Sequence, residues 1–351
     1  MDRTRPGAGG LALRTPARFP LAALPTPLVR ARRLERHLGS PPIYVKRDDL
    51  AGFAFAGNKA RKLELILADA LARGCDVLVT GGGPGSNHCA AAAAAAQVAG
   101  LGCLLVICGE DLNGSHPNLA LARSFGAKLV CTGDPERSSV DRALGRWVAE
   151  LKEAGRRPYP VPRGGAAVLG AAGYAVAAGE LAAQLDRLGA EPGLVLVATG
   201  SGGTQAGLLA GAAAGGRGGR VVGASVSRPV PECRQRVLGL ARGCAALLGT
   251  SEPPECRVEV VDARGPGFGV ASAEGTEAAR LAARTEGLLL DPVYTAKAFA
   301  VFLRLVMGCA PGPAVFVHTG GLPAAMWERG VGGVAARRSP GAERGRERAH
   351  A

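Results

Sequence analysis

Lys59 is the residue whose type and setting most directly suggest covalent chemistry in this chain. It stands in Gly-Asn-Lys-Ala-Arg-Lys at residues 57–62, at the predicted start of a helix and shortly after the charged run 46–49. A lysine amine attacks carbonyl groups and forms a Schiff base when part of its population is neutral. A lysine with basic neighbours is commonly a solvated side chain, so a chemical role needs support from other segments.

A glycine-rich segment, Thr-Gly-Ser-Gly-Gly-Thr at residues 199–204, predicts a site for a phosphate group. It follows the apolar run 194–197 and precedes a predicted helix. The N–H groups and the dipole at a helix start favour an anion, and glycines let the backbone approach it closely. The glycine spacing does not match a dinucleotide-binding fingerprint, and the chain has no P-loop motif. A cofactor phosphate bound without a metal ion is the better interpretation.

Ser86, Asn87 and His88 begin a predicted helix of mostly alanine, after a glycine-rich segment at 81–85 that predicts a turn. Serine is a preferred N-cap, so Ser86 could serve helix stability alone, but the same geometry suits a bound carboxylate. His88 has a side chain suited to acid–base chemistry, although a helix start disfavours its charged form. Tyr294, after an apolar run, could donate its hydroxyl to a leaving group or simply pack in the core.

Four parts of the sequence together carry a resemblance to a known family. They are the Gly-Asn-Lys segment, Gly-Gly-Gly-Pro-Gly-Ser-Asn-His at 81–88, the loop at 199–204, and Leu-Leu-Leu-Asp-Pro-Val-Tyr-Thr at 288–295 with His-Thr-Gly-Gly at 318–321. In kind, order and spacing they resemble the fold-type II pyridoxal-phosphate enzymes. The close match is the ACC deaminase / D-cysteine desulfhydrase family, where ACC is 1-aminocyclopropane-1-carboxylate. The resemblance extends from about residue 24 to residue 321.

The expected fold class is α/β. Predicted strands and helices alternate along the chain, which is typical of a parallel sheet. The resemblance implies two open parallel-sheet α/β domains of the tryptophan synthase β type, with pyridoxal 5'-phosphate between them. It implies a large domain made of residues 1–50 and 164–330 and a small inserted domain at 51–163. Residues 331–351 are expected to form a disordered, arginine-rich tail.

The resemblance also assigns roles to individual residues. Lys59 would hold the cofactor as a Schiff base, Asn87 would bind its 3'-oxygen, and Thr319 would contact its ring nitrogen. A hydroxyl at that nitrogen leaves it largely unprotonated, which suits β-elimination. The implied cofactor-binding residues are Lys59, Asn58, Asn87, Thr199, Gly200, Ser201, Gly202, Gly203, Thr204 and Thr319. The implied catalytic residues are Lys59, Ser86 and Tyr294, and the implied substrate-binding residues are Ser86, Asn87, His88, Phe268 and Tyr294.

Two departures bear on the substrate. ACC deaminases of this family carry a glutamate after the tyrosine and a second tyrosine in a Gly-Tyr-Gly segment, whereas this chain has Thr295 and Phe268. Opening a cyclopropane ring needs an added nucleophile or acid. We therefore predict a lyase that eliminates the β-substituent of a small amino acid, as D-cysteine desulfhydrase does, and gives an α-keto acid and ammonia. Phe268 and Cys89 also depart from the desulfhydrase pattern.

Other functions therefore stay open at this point. On the same fold they are an ACC deaminase, a cysteate sulfo-lyase-like enzyme, and an amino-acid racemase or synthase. A protein of another class, a non-catalytic binding protein that keeps the fold, is the further alternative. The intact Lys59, Asn87 and phosphate loop argue against that last interpretation.

Charge and composition limit the partners. The formal net charge is +13, but residues 1–36 hold eight arginines against two acidic residues, and residues 329–351 hold six against two. Nucleic-acid binders more often carry a basic stripe with stacking aromatics, and aromatics are 4% here. Nine cysteines without a C-x-x-C pair predict neither a zinc site nor a disulfide scaffold. We expect a cytoplasmic homodimer with a small amino-acid substrate, no metal, no nucleic acid and no membrane-spanning segment.

Overall fold

The structure is a computed structural model that describes residues 16–110, 116–215, 219–308 and 312–328. The predicted tail at 331–351 lies outside these residues. The strands are β1 (Leu28–Arg30), β2 (Ile43–Lys46), β3 (Val77–Gly82), β4 (Gly102–Ile107), β5 (Lys128–Cys131), β6 (Pro158–Pro160), β7 (Leu194–Thr199), β8 (Arg220–Ser225), β9 (Glu259–Asp262) and β10 (Ala314–Val317). The helices are α1 (Arg32–Leu38), α2 (Asn58–Ala72), α3 (Asn87–Val98), α4 (Pro117–Ser124), α5 (Ser138–Glu153), α6 (Val168–Arg187), α7 (Gly203–Ala214), α8 (Val230–Leu248), α9 (Ala273–Glu286), α10 (Thr295–Met307) and α11 (Leu322–Glu328).

Two separate sheets form, as expected for the predicted architecture. A six-stranded sheet has the order β1-β2-β10-β7-β8-β9, and all its pairings are parallel except that of the edge strand β1. A four-stranded sheet has the order β5-β4-β3-β6 and is parallel throughout. The inner strands are mostly apolar and buried, as expected for parallel strands covered by helices on both faces. The two predicted α/β bodies are confirmed, and the boundaries at 50/51 and 163/164 stay a prediction.

A buried ionic network fixes helix α2 between the two bodies. Arg61, which is 2% exposed, pairs with Asp48 at 2.9 Å and with Glu180 of α6 at 2.8 Å. The Lys46 ammonium also contacts Glu180. Removing one partner of a buried pair leaves an uncompensated charge and typically costs about 3–5 kcal/mol. The helix that carries Lys59 is therefore held rigidly against β2 and α6.

The end of strand β3 differs from the sequence expectation. The glycine segment predicted as a turn begins inside β3, because Gly81 pairs with Val106 and Gly82 with Ile107. A side chain at Gly81 would place its Cβ 2.3 Å from the Val106 carbonyl oxygen, so glycine allows the two strands to pair there.

The expectation of no membrane-spanning segment stays a prediction, and helix α6 is the described element that bears on it. The helical stretch Arg163–Arg187 is 25 residues long with a mean hydropathy of 1.5, so its length and composition would allow a span. Half of that window is buried inside the protein. Helix α6 packs against α2, α7 and α8, and Glu180 on it belongs to the buried ionic network. Its apolar character is explained by this central position in the large body.

Candidate functional site

A cavity of about 710 Å³ lies between the carboxyl ends of the two parallel sheets. Ligands of open α/β folds bind at this edge, because the loops that follow parallel strands meet there. Every residue that the sequence singled out for the site lines the cavity except Gly203. The lining members of that set are Asn58, Lys59, Ser86, Asn87, His88, Thr199, Gly200, Ser201, Gly202, Thr204, Phe268, Tyr294 and Thr319.

Lys59 lies in the first turn of α2 and extends its amine into the cavity. The helix can begin there because Gly57 has φ +53°, and a Cβ at that position would lie 2.3 Å from the Thr319 carbonyl oxygen. The Lys59 Nζ donates to the Asn58 side-chain oxygen at 3.0 Å. Burial lowers the pKa of Lys59 to about 8, and Asp291 only partly offsets this. A neutral amine is therefore available near neutral pH.

The glycine loop forms an anion cradle at the start of α7. Its N-cap residue, Gly202, has φ +93° and offers no side chain to cap the helix. The Lys62 ammonium comes within 3.2 Å of the place where a Cβ on Gly203 would lie. Uncapped helix N–H groups, a helix dipole and a buried lysine together fit a phosphate.

Lys62 was missed by the sequence analysis, although a signal existed. It follows Lys59 by three positions, so both lysines project from the same side of α2. Burial and the neighbouring Lys59 hold the pKa of Lys62 well below its ordinary value. A phosphate would offset both causes.

The two threonines of the loop have different surroundings. The Thr204 hydroxyl accepts a hydrogen bond from the Asn58 amide at 3.0 Å, which ties α7 to the start of α2. The Thr199 hydroxyl donates to the Gln205 side-chain oxygen at 3.1 Å. Gln205 in turn donates to the Glu259 carbonyl oxygen at 2.7 Å. Thr199 therefore anchors the loop to the sheet through its side chain.

The start of α3 forms the opposite wall. The Ser86 hydroxyl oxygen accepts from the Cys89 N–H at 3.2 Å, so Ser86 is a true N-cap. Asn87 lines the cavity, and its side-chain oxygen accepts from the Asn118 amide at 2.9 Å, so its NH₂ group is the part of the side chain that can donate. Asn118 on α4 was missed because sequence spacing does not relate it to Asn87. Cys89 is buried and does not line the cavity.

His88 is held as a neutral ring. The Thr80 hydroxyl donates to the Val161 carbonyl oxygen at 2.8 Å, so the His88 Nε2 at 3.0 Å must carry the proton that it donates to Thr80. Its Nδ1 is buried and has no hydrogen-bond partner among the residues that the structure describes. Burial, together with Lys59 and Lys62, lowers the pKa of His88 to about 3. This argues against the predicted role in proton transfer at neutral pH and against a cationic carboxylate contact.

Tyr294 and Phe268 form an aromatic corner of the cavity. Their ring centroids are 5.9 Å apart in an edge-to-face arrangement. The Tyr294 ring packs against the glycine loop, 3.2 Å from the position of a Cβ on Gly200. Burial raises the pKa of Tyr294 to about 12, so its hydroxyl is a proton donor at neutral pH. The Arg137 guanidinium lies 3.9 Å above the centre of the Phe268 ring.

Thr295 lies behind the cavity wall. It is fully buried, and its hydroxyl donates to the Asp291 carboxylate at 2.7 Å. That carboxylate also accepts the N–H groups of Val293 and Tyr294 at 3.1 and 2.8 Å. Asp291 lines the cavity and shapes the turn that presents Tyr294. Its role was not predicted, although it stands in the segment used for the family resemblance.

Comparisons with known proteins agree with this geometry. Residues 20–320 match the family described as pyridoxal-phosphate dependent enzyme. A 1-aminocyclopropane-1-carboxylate deaminase of Burkholderia cenocepacia is 38% identical over 328 residues, which is 90% of this chain and 97% of the relative. A D-cysteine desulfhydrase of Salmonella paratyphi B is also 38% identical, over 88% and 95% of the two chains. The crystal structure of an ACC deaminase homologue superposes with a TM-score of 0.84 at 33% identity, covering 90% and 96%.

Proposed function

We propose that this chain, which belongs to the family of pyridoxal-phosphate dependent enzymes, is a lyase that eliminates the β-substituent of a small amino acid. The cofactor is pyridoxal phosphate, and the predicted fold-type II architecture is shared with the solved relatives. The products of the proposed reaction are an α-keto acid, ammonia and the departed substituent.

The cavity offers a place for each part of the cofactor. Lys59 would hold it covalently, while the start of α7 and Lys62 would hold its phosphate. Asn87 and Thr319 would contact the ring. When bound, the cofactor withdraws electrons from the α-carbon of the amino acid and makes its proton more acidic.

Residues around that α-carbon would remove its proton, protonate the departing group and bind the substrate carboxylate. The Lys59 amine, with its pKa of about 8, takes the α-proton in its neutral form. The Tyr294 hydroxyl, with its pKa of about 12, stays protonated and donates to the departing group. Ser86 and the backbone N–H groups at the start of α3, that of Asn87 included, bind the substrate carboxylate. Water then converts the released product to the keto acid and ammonia.

One observation carries the choice of elimination over ring opening. The residue after Tyr294 is Thr295, whose hydroxyl is bound to Asp291 outside the cavity. The Phe268 ring stands beside Tyr294 and brings no hydroxyl. The aromatic corner therefore supplies one phenol, and the carboxylate beside it, Asp291, already accepts hydrogen bonds from Thr295, Val293 and Tyr294. This suits a substrate whose β-substituent leaves by itself.

ACC deamination is the second candidate, favoured by the names of several relatives. A panel of three amino acids separates the two. We expect keto-acid release from D-cysteine or β-chloro-D-alanine to exceed release from ACC by at least about tenfold, which is ~1.4 kcal/mol in activation free energy. Tyr294→Phe should lower the elimination rate with unchanged cofactor content. Faster turnover of ACC would replace the elimination proposal with the deaminase.

A homodimer, a cytoplasmic location and the absence of nucleic-acid and membrane partners stay predictions. Size-exclusion chromatography with light scattering would test the first of them.

A further inference from the structure

Four arginines line the same cavity as Lys59. Arg137 stands at the start of α5, Arg163 in the loop before α6, Arg228 after β8, and Arg236 on α8. They come from both bodies of the molecule. The lining carboxylates are Glu136, Asp141 and Asp291.

The charges of these arginines are compensated to different degrees. Arg163 makes a bidentate pair with Asp141, with N–O distances of 2.8 and 2.6 Å. Arg228 donates from Nη1 to Glu232 at 2.9 Å, but its buried Nε has no hydrogen-bond partner in the described part of the chain. Arg236, at the rim, donates to the Ser201 carbonyl oxygen at 2.9 Å.

The exposed Arg236 has no carboxylate partner among the described residues, but it donates to a carbonyl oxygen. Arg137 has neither kind of partner there. Among the described residues no ion pair reaches it, and its contact is the face of Phe268 at 3.9 Å. Burial lowers the pKa of Arg137, as do the neighbouring Arg163 and Arg228. Guanidinium groups held near one another in a cleft repel, and an anion between them removes that repulsion.

The position of Arg137 places it on the substrate side of the cavity. Phe268, on which it lies, contacts Tyr294 edge to face. The proposed phosphate cradle lies at Gly202 and Lys62, and the proposed site for the substrate α-carboxylate lies at Ser86 and Asn87 on α3. A guanidinium on the aromatic corner is therefore available to a third group, the β-substituent.

We propose that Arg137, seated on Phe268 and flanked by Arg163 and Arg228, binds an oxyanion on the β-substituent of the substrate. This rests on the proposed elimination function and narrows it to amino acids with a second negative charge, such as a sulfonate or phosphate ester on the β-carbon. The planar guanidinium fork matches two oxygens of such a group, and Phe268 fixes its plane without competing for the anion.

Elimination from an amino acid with an anionic β-substituent is chemically balanced with water as the one additional reactant. For cysteate, the Cα–H bond and the Cβ–S bond break, the Lys59 amine takes the proton, and the bonding pair leaves on sulfur as sulfite. Water then replaces the amino nitrogen, so that pyruvate, ammonia and sulfite are released. No electron is gained or lost overall.

The test compares two substrates in three holoenzymes. Keto-acid release is measured from cysteate and from β-chloroalanine, each as both enantiomers, with wild type, Arg137→Gln and the control Arg146→Gln. Arg146 is on the same helix and 64% exposed. We expect Arg137→Gln to lower kcat/KM for cysteate by at least about thirtyfold, because the sulfonate then enters a half-buried site without its charged partner. Turnover of β-chloroalanine should stay within about threefold, as should both substrates with the control variant.

Equal losses for both substrates would overturn the inference, since Arg137 would then bind the α-carboxylate. Lost cofactor content in Arg137→Gln would also overturn it and assign the arginine to the phosphate. A binding measurement distinguishes a failure of the proposed role of Arg137 from a failure of the proposed elimination function. If no amino acid in the panel is turned over, calorimetry should still show 3-sulfopropanoate binding to wild type more tightly than butanoate. That preference should disappear in Arg137→Gln, and its absence in wild type would end the proposal.

Discussion

The two helices that begin at the cavity, α3 and α7, differ in how their first turns are satisfied. Helix α3 has Ser86 at its N-cap, and the hydroxyl accepts the Cys89 N–H at 3.2 Å. Helix α7 has Gly202 there, in a left-handed conformation and without a side chain. The start of α3 is capped by its own serine, so it is stable without a ligand and can bind one reversibly. The α7 start leaves its N–H groups for a resident anion.

This difference separates the two anionic groups that a pyridoxal-phosphate enzyme must hold. The cofactor phosphate is permanent, so its site can depend on the ligand for the completion of its helix. A substrate carboxylate leaves in each turnover, so its site must be stable when empty. Predictions that target the two helix starts separately therefore have different expected sizes.

The largest effect is expected for Gly202→Val. The φ of +93° costs an L-residue roughly 1–2 kcal/mol, and the displaced N–H groups lose the phosphate. We expect the Kd for pyridoxal phosphate to rise at least about a hundredfold, measured by absorbance after dialysis. The matched control is Gly287→Val, since Gly287 caps α9 at φ +67° with open space around it. That variant should lose similar stability and keep its cofactor. Full cofactor occupancy in Gly202→Val would place the cradle elsewhere.

A smaller loss is expected for Lys62→Gln. Removing the ammonium near Gly203 should raise the Kd for pyridoxal phosphate by about tenfold, ~1.4 kcal/mol. The control is a second ligand, pyridoxal, which has no phosphate. It should bind to wild type and to Lys62→Gln with the same affinity. If the variant weakens both ligands equally, Lys62 acts on the Lys59 amine and not on the phosphate.

The smallest effect is expected for Ser86→Ala. Loss of an N-cap costs about 1 kcal/mol of unfolding free energy, while cofactor retention should be unchanged. Ser272→Ala is the matched control, because Ser272 caps α9 through the Gly275 N–H at 3.1 Å away from the cavity. Urea unfolding should show similar losses in the two variants, and only Ser86→Ala should raise KM. Loss of cofactor in Ser86→Ala would contradict the division between the two helices.

Sequence patterns predicted the parts of the site that lie in continuous segments. Lys59, the loop at 199–204 and the Ser-Asn-His helix start each carry a local signal, a glycine turn or a cap, and the structure brings them to one cavity. The same applies to most strands, whose apolar runs are buried on both faces. Site residues could therefore be predicted from the sequence where the same few residues determine both the backbone conformation and the function.

Residues that reach the cavity from distant segments were missed. Arg137 immediately precedes α5, a helix with a broad polar face and a short buried apolar stripe. The Phe268 ring that it contacts is in a loop of the other body. Asn118 orients Asn87 across a helix pair, which no spacing along the chain encodes. The neutral state of His88 also depends on tertiary structure, because the Thr80 and Val161 contacts and the burial of the ring impose it.

The close approach of Gly57 to residues 319 and 320 has a consequence for the order in which the enzyme is completed. The Asn58 N–H donates to the Thr319 carbonyl oxygen at 3.0 Å, so the helix that bears the reactive lysine contacts a segment that is synthesised much later. The setting of Lys59 is therefore absent until the chain has passed Gly320. Closing so long a loop is slow and entropically costly. A nascent or truncated chain therefore carries a lysine without its active site, and cofactor capture coincides with completion of the fold.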